Sequence, residues 1–181
     1  MDTGAREPTA VEHASGGEAL EQCFARCQSQ LLGLIYHMVG NHEDARDALQ
    51  DTFVKCWRHR ERVAELDNLQ AWVFRVAMNT ARDLRQTAWR RHRQPWSEAQ
   101  TDVPSSEVAV EVRLEHREQL LRVREAIQEL QIKEREVFLL RQNGELTYEQ
   151  IAATLDIPTG TAKTRMRQAL QHLRRILTAR T

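Results

Sequence analysis

Between Leu146 and Leu177 the chain is narrowly constrained: a short helix, a sharp turn, then a longer helix. Thr147 followed three residues later by Gln150 is a capping-box pattern and predicts a helix start. Ile151, Ala152 and Leu155 give that helix one apolar face. Asp156-Ile157-Pro158 ends it, because Pro158 disfavours helical backbone at Ile157. Thr159 can cap a second helix, with Gly160 and Thr161 in its first turn. At about 100° per residue, Ala162, Met166, Ala169, Leu170, Leu173, Ile176 and Leu177 share one side of it. Lys163, Thr164, Arg167, Gln168, Gln171, Arg174 and Arg175 share the other. From Thr159 to Leu177 there are five Lys or Arg and no Asp or Glu. This is a helix-turn-helix pattern, whose second helix can lie in a DNA major groove. The Thr and Gln among the cations can reach base edges. The plainer alternative is a helical hairpin with a solvated charged face.

The rest of the chain reads as helical too. No alternating strand pattern of useful length occurs, and Gly and Pro number only 7 and 4 in 181 residues. Glu18 to about Val39 carries an apolar stripe of Leu20, Cys23, Phe24, Cys27, Leu31, Leu34, Ile35 and Met38. Gly40-Asn41-His42 ends it, and Asn41 can cap a helix running to about Arg58. In that helix Ala45, Ala48, Leu49, Thr52, Phe53 and Cys56 face inward. Glu43, Asp44, Asp47, Gln50, Asp51 and Val54 face outward. Arg58 to Leu69 loses the helical period and reads as a loop with room for one turn. Asp67 or Asn68 can cap a third helix, Leu69 to about Arg93, which buries Val73, Phe74, Ala77, Met78, Ala81 and Leu84. It lines up Trp72, Arg75, Asn79, Arg82 and Gln86 on the opposite side. Aromatic and guanidinium planes stack on unpaired bases, and an amide reads base edges, so that strip suits single-stranded nucleic acid. The alternative is a surface helix with Trp72 half-buried in a neighbour.

Residues 94–110 hold two of the prolines, several Ser and Thr, and an acidic bias. They read as a flexible acidic linker. The expected architecture is therefore all-α, with two small helical domains: residues 18–93 and 111–181, preceded by a flexible tail over 1–17. Beyond the linker a helix from Glu111 to Leu130 places Leu120, Val123, Ile127 and Leu130 on one side. A further helix, Lys133 to about Gln142, stops at Asn143-Gly144. With the helix-turn-helix they make a four-helix C-terminal domain.

Charge and cysteine content exclude several classes. The 26 basic and 26 acidic residues cancel, which argues against a non-specific nucleic-acid coat. The signs are segregated, however: acids cluster over 41–51 and 98–118, arginines over 82–93, as suits several distinct partners. Cys23, Cys27 and Cys56 make no disulfide framework. Cys23 and Cys27 could share a metal, completed by His13 or His37, but they lie on the apolar stripe and read as buried and inert. No phosphate-binding Gly loop, metal motif or catalytic triad is visible, so no catalytic residue, metal or cofactor is expected. No apolar run approaches the roughly 20 residues needed to cross a bilayer, and the N-terminus lacks the apolar core of a signal peptide. The expected location is the cytoplasm.

The order of these pieces resembles a known family. Asn41-His42-Glu43-Asp44-Ala45-Arg46-Asp47-Ala48-Leu49-Gln50-Asp51-Thr52-Phe53, then Trp57, then Ala71-Trp72-Val73-Phe74-Arg75-Val76-Ala77-Met78-Asn79, is similar to the second conserved region of bacterial sigma factors. Leu130 to Leu140, then Leu146-Thr147-Tyr148-Glu149-Gln150-Ile151-Ala152, Ile157-Pro158, Gly160-Thr161, Lys163-Thr164-Arg165 and Leu173, is similar to the fourth. With these two regions alone, the chain resembles the extracytoplasmic-function (ECF) sigma factors of the sigma-70 superfamily.

That resemblance implies a factor that binds core RNA polymerase, recognises a two-part promoter and stabilises strand opening. Asp47, Gln50 and Asp51 would dock on polymerase. Trp72, Arg75, Asn79 and Arg82 would meet the melted −10 element. Arg85 and the arginines over 90–93 would follow the DNA backbone, and the linker would thread through polymerase. Thr161, Lys163, Thr164, Arg167 and Gln168 would read the −35 element. The implied partners are core polymerase, promoter DNA and an anti-sigma factor seated on an apolar surface shared by both domains; no small-molecule substrate is implied. Asp156 stands where the family usually has Gly, and Arg167-Gln168 depart from the common pattern, so promoter sequence does not carry over. The rival readings are a two-domain helix-turn-helix regulator independent of polymerase, a protein-interaction adaptor and a helical RNA-binding protein. A regulator would need a pocket-forming or receiver-like first domain, and an adaptor leaves the Arg75-Asn79-Arg82 strip without a role.

Overall fold

The computed structural model describes the backbone of residues 10–91 and 110–179, and side chains within 16–87 and 118–179. Among the described residues all regular structure is helical: α1 (Ala10–Val39), α2 (His42–Trp57), a 3-10 helix (Arg60–Glu65), α3 (Leu69–Arg91), α4 (Val110–Glu129), α5 (Ile132–Gln142), α6 (Tyr148–Leu155) and α7 (Thr159–Ala179). The expected linker, but for Val110, lies outside the described residues.

Helix α1 is the spine of the N-terminal half. Its stripe from Leu20 to Met38 is buried against α2, α3 and the 3-10 helix. It begins at Ala10, eight residues before the expected start at Glu18. Gly16 and Gly17 do not break it, because they are where the 3-10 helix and α2 come close. A Cβ on Gly16 would sit 2.6 Å from the Arg60 carbonyl oxygen, and one on Gly17 would sit 3.2 Å from the Trp57 ring. Gly40, at φ 82°, ends the helix. Asn41 then caps α2, its Oδ1 accepting from the Glu43 amide at 2.9 Å. The Asn68 side chain does the same for α3, accepting from the Ala71 amide at 2.8 Å. Val73, Phe74, Ala77, Met78 and Ala81 of α3 are fully buried.

All three cysteines are buried and free. The Cys27 thiol donates to the Cys23 carbonyl at 3.0 Å. Its side-chain hydrogen bond with Cys23, and then burial, push the Cys27 thiol up; burial pushes Cys56 up to about 12. Both stay protonated, as packed apolar side chains do.

In the C-terminal half the capping box at Thr147 is complete. The Gln150 amide donates to Thr147 Oγ1 at 3.2 Å, and the Thr147 amide donates to Gln150 Oε1 at 2.8 Å. Asp156 takes the left-handed conformation (φ 53°, ψ 55°) that makes the turn. Helix α7 starts one residue sooner than expected: Thr159 is already helical, and the Pro158 carbonyl accepts from the Thr161 and Ala162 amides.

Two expectations about the apolar faces need correction. Of the α4 stripe, Ile127 and Leu130 are buried, whereas Leu120 and Val123 are 65% and 43% exposed. Among the described side chains of α4, those over 118–123 are exposed and the buried ones, Ala126 and Ile127, lie in its last turns. Leu170, placed on the inner side of α7, is 50% exposed, whereas its neighbours on that side, Ala169 and Leu173, are buried.

The two halves pack on one another. Helix α3 lies against α6, and α1 against α4 and α5. Phe74 is wholly buried, and a Cβ on Gly144 would be 3.1 Å from its ring. The Gln70 side chain donates to the Gly144 carbonyl at 3.0 Å, and the Gln128 side chain donates to the His37 carbonyl at 2.8 Å.

Candidate nucleic-acid and protein interface

The predicted site residues fall on three helices and form three separate surfaces. On α2, Asp47, Gln50 and Asp51 are exposed, one turn apart, with Glu43 exposed beside them. The buried opposite side (Ala45, Ala48, Leu49, Thr52) fixes the helix rotation, so the carboxylates have no choice but to face solvent. Val54, 44% exposed, adds an apolar contact to this acidic face.

On α3, Arg75 and Asn79 are exposed and four residues apart, hence on one face. Trp72 is half-buried and packs on the core. Arg82 is not free either. Its Nε and Nη2 donate to both oxygens of the Glu136 carboxylate on α5, at 2.6 and 2.7 Å. This two-pronged bond raises the Arg82 pKa above its usual value. The structure thus brings Arg75 and Asn79 together for a ligand and commits Arg82 to the other half of the chain. The side chains of the arginine cluster at 90–93 lie outside the described residues.

On α7, Lys163, Thr164, Arg167 and Gln168 are exposed and Thr161 is half-buried, on the first three turns of the helix. The buried set Ala162, Met166, Ala169 and Leu173 holds that face outward. Lys163 Nζ stands 5.9 Å from the centre of the Tyr148 ring, and the Arg141 guanidinium 5.5 Å. Glu149, at the start of α6, has its pKa lowered by its own amide first, then by the Thr147 hydroxyl and Lys163. The start of α6 and the start of α7 therefore share one basic, aromatic-backed edge.

Sequence reasoning missed the residues behind these surfaces. Helix α5 buries three successive charged side chains, Glu134, Arg135 and Glu136. Glu134 meets His172 of α7 at 2.7 Å. Arg135 donates to the carbonyls of Gln128 and Leu130, the C-terminal end of α4, to the Gln128 side chain and to the His37 carbonyl. Burial, with Arg85 adding to it, lowers its pKa to about 10. The unbroken run Val137-Phe138-Leu139-Leu140 was the available signal, since a helix apolar around much of its circumference is covered on more than one side.

Among the described residues no three His, Cys, Asp or Glu side chains converge as a metal site, and no helix is long and apolar enough to cross a membrane.

Known proteins fit the same layout. The family model described as Sigma-70 region 2 matches residues 23–91, and that described as Sigma-70, region 4 matches residues 120–173. RNA polymerase sigma factor CarQ of Myxococcus xanthus is 30% identical over 161 residues, covering 88% of this chain and 90% of CarQ. ECF RNA polymerase sigma factor SigE of Mycolicibacterium smegmatis is 26% identical over 171 residues, covering 92% of this chain and 66% of SigE. The sigma factor RpoE of Bartonella quintana, solved with the anti-sigma factor NepR, matches with a TM-score of 0.71 at 22% identity, over 89% of this chain and 98% of that one. At that identity the likeness is one of fold.

Proposed function

We infer how the work is divided along this chain from one premise: it belongs to the sigma-70 factors of RNA polymerase, in their extracytoplasmic-function group. It binds core RNA polymerase and directs transcription initiation at specific promoters. Residues 18–93, with the start of α1 before them, act as the unit that docks on polymerase and opens the −10 element, residues 111–181 as the unit that reads the −35 element, and 94–110 as the linker between them. Asp47, Gln50 and Asp51 meet a basic surface of the polymerase. Arg75 and Asn79, flanked by Trp72 and Arg82, hold unpaired bases of the −10 element. Thr161, Lys163, Thr164, Arg167 and Gln168 face the −35 duplex. The factor carries out no bond chemistry and works in the cytoplasm, where polymerase is. An anti-sigma factor, of the kind bound to the Bartonella protein, holds it inactive.

One observation carries this division. Arg75 and Asn79 stand exposed on one face of α3, on a helix whose other side is fully buried. An arginine and an amide so placed suit bases that have left the duplex, and α7 offers a second, basic face suited to duplex DNA. The test separates the two steps. Replacing both Arg75 and Asn79 with Ala should cut promoter opening, read by permanganate reactivity, by about tenfold or more. Closed-complex formation should change by less than about twofold, since the −35 contacts persist. Equal losses in both assays would contradict the division.

A further inference from the structure

We propose that Cys23 and Cys27, thiols on successive turns of the buried α1 stripe, form a peroxide-reactive pair whose oxidation disables the N-terminal unit. The loss of activity rests on the reading that this unit docks on polymerase through α2. The thiol chemistry does not depend on it.

The three cysteines are all buried, but they are not equivalent. The Cys27 thiol lies within hydrogen-bond reach of the Cys23 carbonyl, at 3.0 Å, and of the Cys23 sulfur. Turned to that sulfur, its proton stabilises a thiolate at Cys23. Arg26, exposed and one turn along, adds its charge and a hydrogen bond of its own. Against burial, these pull the Cys23 thiol below the usual thiol range. The same sulfur–sulfur bond keeps the proton on Cys27, whose thiol is pushed up. Cys56 has no such help; burial first, and the charge on Cys23 second, hold it neutral. The arrangement is a nucleophilic thiol backed by a protonated one. With Cys23 only 4% exposed, bulky oxidants such as glutathione disulfide are barred, and hydrogen peroxide is the class that fits.

The Cys23 thiolate attacks one peroxide oxygen; an S–O bond forms, the O–O bond breaks, and hydroxide leaves. The Cys27 sulfur then attacks the Cys23 sulfur of the sulfenic acid. An S–S bond forms, the S–O bond breaks, and the oxygen leaves with the Cys27 proton as water. The hydroxide takes a proton from solvent, so two thiols lose two electrons and one peroxide ends as two waters.

The product does not fit the helix. Residues four apart hold their Cβ atoms about 5–6 Å from one another, whereas a disulfide needs about 3.5–4.5 Å. The turn over 23–27 must therefore leave helical geometry. It carries Phe24, which meets Phe53 of α2 edge-on at 5.1 Å, and Phe53 in turn stacks on Trp57 at 5.8 Å. Distorting that turn loosens α2, the helix that presents Asp47, Gln50 and Asp51, from the spine it packs on.

The test exposes the reduced full chain to hydrogen peroxide, blocks the remaining thiols with iodoacetamide under denaturing conditions and maps the peptides by mass spectrometry. Cys23 and Cys27 should be found joined and Cys56 alkylated. The oxidised chain should melt at least about 4 °C lower and co-purify less with core polymerase, and dithiothreitol should restore both. Cys27→Ala should stop at a sulfenic acid on Cys23 that dimedone traps. Arg26→Gln, on the surface and harmless to the core, should slow loss of the Cys23 thiol by about three- to tenfold at pH 7, with the difference shrinking as pH rises. A Cys23 that reacts no faster than Cys56, a disulfide to Cys56, or an unchanged rate in Arg26→Gln would overturn the reactive pair. A Cys23–Cys27 bond that leaves the melting temperature unchanged would overturn the disabling distortion. An oxidised chain that melts lower yet binds polymerase as well as the reduced one would instead count against docking through α2.

Discussion

The two halves of the chain treat charge in opposite ways. The N-terminal half keeps it outside. Its largest fully buried side chains are Leu20, Leu31, Leu34, Ile35, Met38, Val73, Phe74 and Met78, and among the described residues Thr52 and Thr80 are its buried polar ones. The C-terminal half draws charge inward, burying Glu134, Arg135 and Glu136 on consecutive positions of α5. The difference teaches where function and stability are separable. On α2 and α3 the exposed Asp47, Asp51 and Arg75 stand apart from the core and can serve a partner, whereas Arg82 is tied to Glu136 of the other half. On α5 they join α4, α7 and the N-terminal half, and cannot be changed without cost.

That contrast can be broken most sharply at α2. Reversing both Asp47 and Asp51 to Arg should weaken co-purification with core polymerase by at least about a hundredfold, as the loss of paired interfacial charges does. Thermal stability should move by less than about 0.5 kcal/mol, because both sites are exposed. Retained polymerase binding would remove the acidic face from the docking site. The opposite pattern is expected at α5. Arg135→Met should cost about 2–4 kcal/mol of unfolding free energy in urea melts, since it strips donors from buried carbonyls at the end of α4. A loss under about 1 kcal/mol would show that α5 tolerates charge loss as α2 does.

The seam supplies a pH signature. Burial, with Arg124 and Arg135 adding repulsion, lowers the His37 pKa from 6.5 to about 4. Above pH 6.5 the ring is neutral folded or unfolded and contributes nothing. As pH falls below 6.5 the unfolded chain takes up a proton that the folded chain refuses, so stability drops, levelling off below about pH 4. Between pH 7 and 5 the loss is about 2 kcal/mol. His37→Gln should flatten that part of the profile, and identical profiles would contradict the assignment.

A smaller effect is expected at α7. Lys163→Ala or Arg167→Ala should each weaken −35 binding by about 1–3 kcal/mol if the side chain reads a base. If it meets only phosphate, all sequences should weaken alike and the salt slope should fall by about one. A variant that binds normally at every salt concentration would leave its residue outside the interface.

Most of the helices were legible because local rules sufficed. The capping box at Thr147, the Asn41 and Asn68 caps, and the turn at Asp156 all lie within four residues of the structure they create. The exposed faces of α2, α3 and α7 followed from periodicity. What each face binds did not; that came from the resemblance in residue order, and the individual site residues are assigned by it. Long-range contacts were out of reach. Arg82 and Glu136 are 54 positions apart, and neither carries a mark in the sequence that it is paired. The start of α1 was misplaced because what Gly16 and Gly17 pack against, Arg60 and Trp57, lies far along the chain. The α4 stripe was overread because period alone does not say how far a neighbouring helix extends.

The central claim is that one chain reads a promoter in two places, duplex at −35 through α7 and parted strands at −10 through α3, while docked on polymerase. Run-off transcription with purified core polymerase on a randomised promoter library tests it directly. The account predicts transcripts only when the factor is present, with enriched templates sharing two separated motifs: the upstream preference altered by Arg167→Ala, the downstream one by Asn79→Ala. Transcripts that need no added factor, or an enriched set with a single motif that responds to both substitutions alike, would contradict it.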